Sequence, residues 1–439
     1  MTSARRLVVL LSGVVAGVVT QDGQGRLTLR YDEQWRSSPS VFPVSLSMPT
    51  AAREHADRVV RAFLWGLLPD NESVLERWAR AHHVSARNPF ALLAHVGEDC
   101  AGAVQLVTPE RVDALTAGDG GVEWIDEQEV ARRLRVLRRD PAAWHLARAG
   151  QFSLAGAQAK TALYAEPGSD RWGDPWGMVP TTHILKPAVS GFDDHDLNEH
   201  VCLEAARLCG LPAARSRVVA FGSERAVVVE RYDRVRNAVD AGPGGTVRLH
   251  QEDMCQALGV PPTAKYQNEG GPGPETIVEL LRREVNPRDH LDRDIGRLVD
   301  ALAFNWLIAG TDAHAKNYSA LLGAGRVRLA PLYDVASALP YDDLYLPRLA
   351  MAMRIGGEYR IEAVAGRHWR RFADANALQP DQVIERVLQL ARRLPEAFAA
   401  AAGAEAVKAL DSELPARLVD RVAARALRCA VALGGSAHP

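Results

Sequence analysis

Asp312 and Asn317 are separated by four residues within Gly310-Thr-Asp-Ala-His-Ala-Lys-Asn317. This pairing suits phosphoryl transfer. The carboxylate accepts the proton of an attacking hydroxyl, and the amide oxygen holds a metal ion beside the phosphates. A tight loop with this spacing lets the two side chains converge. Asp334 follows Asn317 by 17 residues, in Ala330-Pro-Leu-Tyr-Asp-Val335 behind the short strand expected at 326–330. A carboxylate and an amide, completed by phosphate oxygens, form a hard site suited to Mg²⁺. Either motif alone also reads as an ordinary turn.

Four further segments supply the parts such a centre needs. Lys186 ends the strand-like Thr182-His-Ile-Leu-Lys-Pro187, where its ammonium can meet the α- and β-phosphates. Glu199 opens the following helix and is the candidate partner of Lys186. An acid in a first helical turn also complements the helix dipole. Ser153-Leu-Ala-Gly-Ala-Gln-Ala-Lys-Thr161 is a small-residue loop whose N–H groups can approach phosphates; it is not a Walker A. Ala155, Gly156, Ala157, Gln158 and Lys160 are its candidate nucleotide contacts, although Lys160 and Thr161 read equally as solvated. Val227-Val-Val-Glu-Arg-Tyr-Asp233 has the pattern of a hinge strand, with Glu230 and Tyr232 bordering adenine. His314 and Tyr333 join the nucleotide-binding candidates by their place beside Asp312 and Asp334. The order of these parts carries more than any one of them. Loop, strand lysine, helix acid, hinge, acid–amide pair and metal acid follow the sequence a kinase requires.

The elements that must position them read as α+β. Residues 1–50 are strand-rich. Leu7–Val19 is apolar behind Arg5 and Arg6, and reads as part of a small antiparallel sheet in preference to a secretory signal. Residues 51–95 look helical, with a helix start at Asp70 or Asn71. A strand is expected at 104–107, a Gly/Asp-rich loop at 108–122 and a basic helix at 127–139. The helix's arginines form either a solvated face or a surface for an acidic partner or DNA. Short strands then surround a helix at 196–209, and the chain is mainly helical from Glu275 onward. The expected division is 1–150, 151–235 and 236–439. This describes a two-lobed, protein-kinase-like fold with a strand-rich N-terminal domain and a largely helical C-terminal lobe.

Composition narrows the function. The 439 residues carry 52 Lys+Arg against 54 Asp+Glu, so gripping bare nucleic acid is disfavoured as the sole activity. Five scattered cysteines without a CxxC pair argue against a disulfide framework or structural zinc and suit a reducing cytoplasm. No membrane role is expected.

The chain resembles the HipA toxin family of serine/threonine kinases. The resemblance rests on Ser45-Leu-Ser-Met-Pro49, Leu68-Pro-Asp-Asn71, Ser153-Leu-Ala-Gly-Ala-Gln158, Thr181-Thr-His-Ile-Leu-Lys186, Glu230-Arg-Tyr-Asp-Arg234, Leu249-His-Gln-Glu-Asp-Met-Cys255, Gly270-Gly-Pro-Gly273 and Thr311-Asp-Ala-His-Ala-Lys-Asn317. It implies ATP and Mg²⁺ as cofactors, Asp312 as base, Asn317 and Asp334 as metal ligands and Lys186 as phosphate clamp. Ser153 would be an autophosphorylation site whose phosphate expels the loop. The resemblance also implies a small helix-turn-helix antitoxin (HipB-like), operator DNA contacted mainly through it, and an aminoacyl-tRNA synthetase as protein substrate. Two departures stand out. Ala159 precedes Lys160 where the family commonly has Glu, and no His-Arg precedes Asp312, whereas His314 follows it. A histidine there also occurs in small-molecule kinases. A metabolite or antibiotic kinase, and an antitoxin-bound co-repressor with little catalysis, are therefore the alternatives. Gln251, Glu252, Asp253, Lys265 and Tyr266 match the family without a role legible from sequence.

Overall fold

The computed structural model describes residues 5–144, 152–189, 191–236 and 245–434. The chain divides into two compact units. One comprises Met1–Pro187, Val219–Thr263 and Ala320–Val327; the other comprises Ala188–Val218, Ala264–Ser319 and Arg328–Pro439.

The first unit begins with an antiparallel sheet in the order Glu54–His55, Leu27–Tyr31, Val14–Gln21, Arg5–Leu11, Val104–Val107. The apolar run after Arg5 and Arg6 is thus a hairpin. Its turn is Ser12-Gly13, both with positive φ (51° and 82°), a geometry in which glycine carries no Cβ penalty. Leu7, Val9 and Leu11 alternate into the core, where Phe63, Leu64, Leu67 and Trp78 meet them from the helices Asp57–Leu67 and Glu72–His82. The second helix starts at Asn71, whose side chain accepts from the N–H groups of Ser73 and Val74. Residues 51–56 are not helical, against expectation. Glu54–His55 instead extends the sheet beside Leu29 and Arg30.

A six-stranded sheet follows in the order Ser216–Phe221, Glu224–Glu230, His183–Pro187, Thr161–Ala165, Trp172–Gly177, Gly120–Ile125. The last strand corrects the loop expected at 108–122. Its glycines pack against Trp172–Gly177 at a sheet edge, where pairing overrides a weak strand propensity. The same segment also holds a helical turn at Val112–Thr116. The basic helix spans Glu127–Arg139 as expected, and four of its five arginines are paired within the unit. Arg133 forks onto Asp174 at 2.7 and 2.6 Å, Arg135 and Arg138 hold Glu224 at 3.0 Å, and Arg132 holds Glu129.

A buried ionic network lies within this unit. Arg231, Arg234 and Arg248 surround Asp99, and Arg231 also chelates Asp233 at 3.0 and 2.8 Å. Thr181 donates to Asp99 at 2.6 Å, and the Gly102 N–H donates to Asp233 at 2.7 Å. Burial opposes the Asp99 and Asp233 charges. The arginines outweigh it, holding Asp99 well below the usual carboxylate range and Asp233 at about 2. Burial also pushes the Arg234 cation down to about 9, whereas for Arg231 the two carboxylates win and its pKa is raised.

The second unit is helical. His195–Leu208, Leu291–Leu307, Pro380–Ala402 and Leu414–Ala432 enclose Phe304, Phe372, Phe398, Trp306 and Trp369. The ring pairs Phe304–Phe398 and Trp306–Trp369 lie 6.3 and 5.8 Å apart. Within it the small hairpin Ala350–Ile355/Glu358–Arg360 was not expected. All five cysteines are buried and free. No helix of the described residues is long and apolar enough to cross a membrane.

The network predicts a measurable fragility. Asp99→Asn leaves three buried guanidinium groups short of one carboxylate and should cost about 3 kcal/mol or more in chemical denaturation. Both carboxylates have depressed folded pKa values. The stability they supply is therefore fully present above the unfolded value of about 3.9 and lost as pH falls through their folded values. Equal denaturation midpoints for wild type and Asp99→Asn at pH 7 would show that the network contributes nothing.

Candidate functional site

The acid–amide loop is built at the end of the helix Leu291–Leu307. Ala309 takes a left-handed φ of 54°, and the Gly310 N–H returns to the Asn305 carbonyl at 2.7 Å. Arg425, 1% exposed, reaches the Trp306 carbonyl at 3.0 Å and satisfies one of the helix's last acceptors. The loop then folds on itself. The His314 N–H donates to the Asp312 carbonyl at 2.8 Å, and the Asn317 N–H donates to the His314 carbonyl at 2.9 Å.

Asp312 is exposed, and its Oδ1 accepts the Tyr266 hydroxyl at 2.6 Å. The Tyr266 ring stands edge-on to the buried His314, with centroids 5.0 Å apart. The Ala315 N–H donates to the Lys265 carbonyl at 3.4 Å. Lys265 and Tyr266 therefore brace the loop and orient the candidate base. Sequence alone left this role open, because the partners lie 46 residues apart.

Asn317 is nearly buried, and its Nδ2 donates to the Asp334 carbonyl at 3.4 Å. That bond assigns the amide orientation and leaves Oδ1 as the acceptor atom of the side chain. Asp334 is exposed with φ 56°, a left-handed conformation that aspartate tolerates better than most residues. Tyr333 just before it donates to the Lys316 carbonyl at 2.6 Å and pairs with the Ser319 hydroxyl at 2.6 Å. Its hydroxyl thus clamps the loop and the strand after it. The contact makes Asn317 and Asp334 neighbours; an amide oxygen and a carboxylate are hard oxygen donors of the kind that suits Mg²⁺, which keeps water and phosphate oxygens for its remaining positions.

Glu199 belongs to the same unit and is 1% exposed on the helix His195–Leu208. Its neighbour Asn198, fully buried, fastens that helix to the segment after Asp334. Asn198 donates to the Ser337 carbonyl at 2.8 Å and accepts from the Ser337 N–H at 3.0 Å. The Ser337 hydroxyl donates to the Ile308 carbonyl at 2.5 Å, next to the acid–amide loop. Asn198 and Ser337 were missed from sequence, since nothing local marks them.

The other candidates lie in the first unit. Lys186 is buried on its strand, opposite Val227, and Glu230 pairs in register with His183. The Tyr232 hydroxyl donates to the Gln251 side-chain oxygen, and Gln251 in turn donates to Asp233 at 3.3 Å, next to the ionic network. Glu252 accepts the Leu46 N–H at 2.7 Å, and Asp253 caps the short helix after it. The small-residue loop is anchored at both ends. Ser153, fully buried, donates to the Leu67 carbonyl at 2.8 Å, and the Gly156 carbonyl accepts the Asp70 N–H at 3.1 Å. The Lys160 ammonium donates to the Ala155 carbonyl at 2.7 Å, closing the loop with its own charge. Gly156, at φ 104°, leaves room for it, since a Cβ there would come within 2.6 Å of Nζ. Ala155, Gly156 and Gln158 are partly exposed, and Ala157 is exposed at the tip.

Comparison with known proteins places the chain in a family. The HipA N-terminal domain family matches residues 7–107 and the HipA-like C-terminal domain family matches residues 152–398. The chain is 37% identical over 431 residues to Y4mE of Sinorhizobium fredii, whose name carries a provisional kinase assignment; 97% of this chain and 98% of that one are covered. It is 28% identical over 382 residues to the serine/threonine-protein kinase toxin HipA of Shewanella oneidensis, covering 84% and 83% of the two chains. A solved structure of the Shewanella oneidensis MR-1 toxin–antitoxin system, containing HipA, HipB and operator DNA, matches with a TM-score of 0.79 at 25% identity over 98% of both chains. The second family match alone spans more than half of the residues, and in its span lie the small-residue loop, the strand lysine and the acid–amide loop: this chain belongs to the HipA family.

Proposed function

We propose that this chain is an ATP- and Mg²⁺-dependent serine/threonine protein kinase acting as the toxin of a toxin–antitoxin pair. The observation that carries the reading is the Asn317–Asp334 contact, five residues beyond an exposed Asp312 held by Tyr266. In the reaction the acceptor hydroxyl oxygen bonds to the γ-phosphorus as the bond to the β–γ bridging oxygen breaks. The proton passes to Asp312, and ADP departs. Mg²⁺ supplies charge neutralisation at the phosphate oxygens, with Asn317 and Asp334 as its protein ligands. Glu199 is a proposed acid of the nucleotide machinery, and Lys186 holds the α- and β-phosphates. The small-residue loop covers them, and Glu230 and Tyr232 border the base. In this reading residues 1–150 serve as the family-specific domain, 151–235 as the nucleotide-holding segment and 236–439 as the catalytic lobe; the separate family matches at 7–107 and 152–398 support the first of these boundaries.

The partner we propose is a small helix-turn-helix antitoxin that carries most of the operator contact. The HipA–HipB–operator composition of the structural relative supports this, as does the near-neutral charge of this chain. The basic helix offers little free charge for DNA, because four of its arginines are paired within the unit. For the protein substrate we propose a translation component of the aminoacyl-tRNA synthetase kind, phosphorylated in the cytoplasm with growth arrest as the outcome. Ser153 is the proposed autophosphorylation site. A phosphate dianion is incompatible with its present place, buried and donating to the Leu67 carbonyl, so modification requires the loop to leave that contact.

Two measurements test the reading. With labelled ATP and a cell lysate, wild type should label a protein acceptor and itself. Asp312→Asn should lower the rate by about 10²–10⁴, and Ser153→Ala should remove self-labelling alone. ATP binding with label on no protein would refute the kinase assignment. Tyr266→Phe keeps the ring against His314 and removes one charge-assisted hydrogen bond to the base. Turnover should fall about tenfold with little change in KM for ATP. An unchanged turnover would mean that Tyr266 does not position Asp312.

A further inference from the structure

A cavity with a cluster of charged side chains in its lining lies wholly within the helical unit. Its volume is about 260 Å³, and it is bounded by the helices Leu291–Leu307 and Pro380–Ala402 and by two chain segments, 210–212 and 329–332. Four charged side chains line it: Arg293, Arg297, Arg386 and Asp300. Arg293 and Arg297 lie four residues apart, so they share one face of their helix.

The single carboxylate of the lining is already committed. Arg386 forks onto both oxygens of Asp300, one of them at 2.6 Å. Arg297 spends one N–H on Asp294 at 3.2 Å, and Asp294 is also held by Arg328 at 2.8 and 3.0 Å and by the Leu329 N–H. The Nε–H of Arg297 is buried with no hydrogen-bond partner among the described residues. Arg293 makes no ion pair among them. Three guanidinium groups against one carboxylate leave two positive charges in excess on the walls of one cavity. Burying an N–H of a cation without a partner is costly, and bringing Arg293 and Arg297 side by side adds repulsion. Burial lowers the pKa of Arg297 against the attraction of Asp294, with smaller contributions from the nearby cations Arg328 and then Arg293. An oxyanion would remove both costs at once, because a guanidinium fork matches two oxygens of a tetrahedral anion. The volume admits a small ligand and excludes a nucleotide-sized one.

We propose that this cavity binds a small doubly charged oxyanion, either inorganic phosphate or a compact phosphomonoester, on the guanidinium groups of Arg293 and Arg297. Binding there does not depend on the kinase reading. The cavity shares Asn317 with the acid–amide loop, so an anion held in it borders the residue assigned to the metal.

The test is calorimetric titration of the full chain with inorganic phosphate, with glycerol 3-phosphate and with glucose as an uncharged control. Each is repeated on Arg293→Met, Arg297→Gln and Lys186→Ala. Arg293→Met breaks no ion pair and keeps the apolar stem, so it should fold. Phosphate or glycerol 3-phosphate should bind wild type and Lys186→Ala alike, and affinity should drop about tenfold in Arg293→Met. The tighter of the two probes identifies the source of the anion. Flat titrations with both anions at millimolar concentration would overturn the proposal. So would binding that survives in Arg293→Met and Arg297→Gln but vanishes in Lys186→Ala, which places the phosphate in the nucleotide loop. Because nucleotide binding and labelling are measured separately, failure of this site leaves the kinase assignment untouched.

Discussion

An exposed loop cannot by itself keep an acid, an amide and a second acid in register, because each residue held in one conformation gives up about 1–2 kcal/mol of backbone entropy. In this chain buried polar side chains supply the restraint by occupying the loop's own backbone groups. Arg425 takes a helix-end carbonyl, Ser337 takes the Ile308 carbonyl, Tyr333 takes the Lys316 carbonyl and Asn317 takes the Asp334 carbonyl. None of these four donors needs to touch a substrate. They make the geometry around Asp312 a property of the packed unit, which is the preorganisation that electrostatic catalysis requires.

The strand-rich unit follows another logic. Segments of its N-terminal domain and of the part that carries Lys186 meet at Asp99, Thr181, Arg231, Asp233, Arg234 and Arg248. A buried ionic cluster is a poor source of net stability but imposes geometry, since every donor has a direction and an unpaired charge is expensive. Arg231 and Asp233 flank Tyr232, so the hinge candidate is placed by the same residues that join these segments. Asp99 of the N-terminal region is thereby part of the platform that holds Thr181 and the segment 231–234.

Alternation along residues 7–19, the cap at Asn71 and the spacing of Asp312, Asn317 and Asp334 were all legible in the chain, because each depends on a few neighbouring residues and on fixed backbone periods. Residue order also made the family resemblance legible. Failures came where tertiary pairing overrules local preference. The Gly120–Ile125 strand is glycine-rich and exists through its partner strand. The arginines of the basic helix read as either a solvated face or a partner surface, whereas Arg133, Arg135 and Arg138 are met by Asp174 and Glu224 from distant strands.

The sequence by itself determined which chemistry is on offer, because a base, an amide and a metal acid at kinase spacing are matters of residue type and order. Only the tertiary structure decided how those groups are held. Tyr266 on Asp312, Asn198 on Ser337 and the arginines around Asp99 join residues 46, 139 and more than 130 positions apart. Contacts of that range are selected by packing and by the need to pair every buried polar group, and no local pattern encodes them.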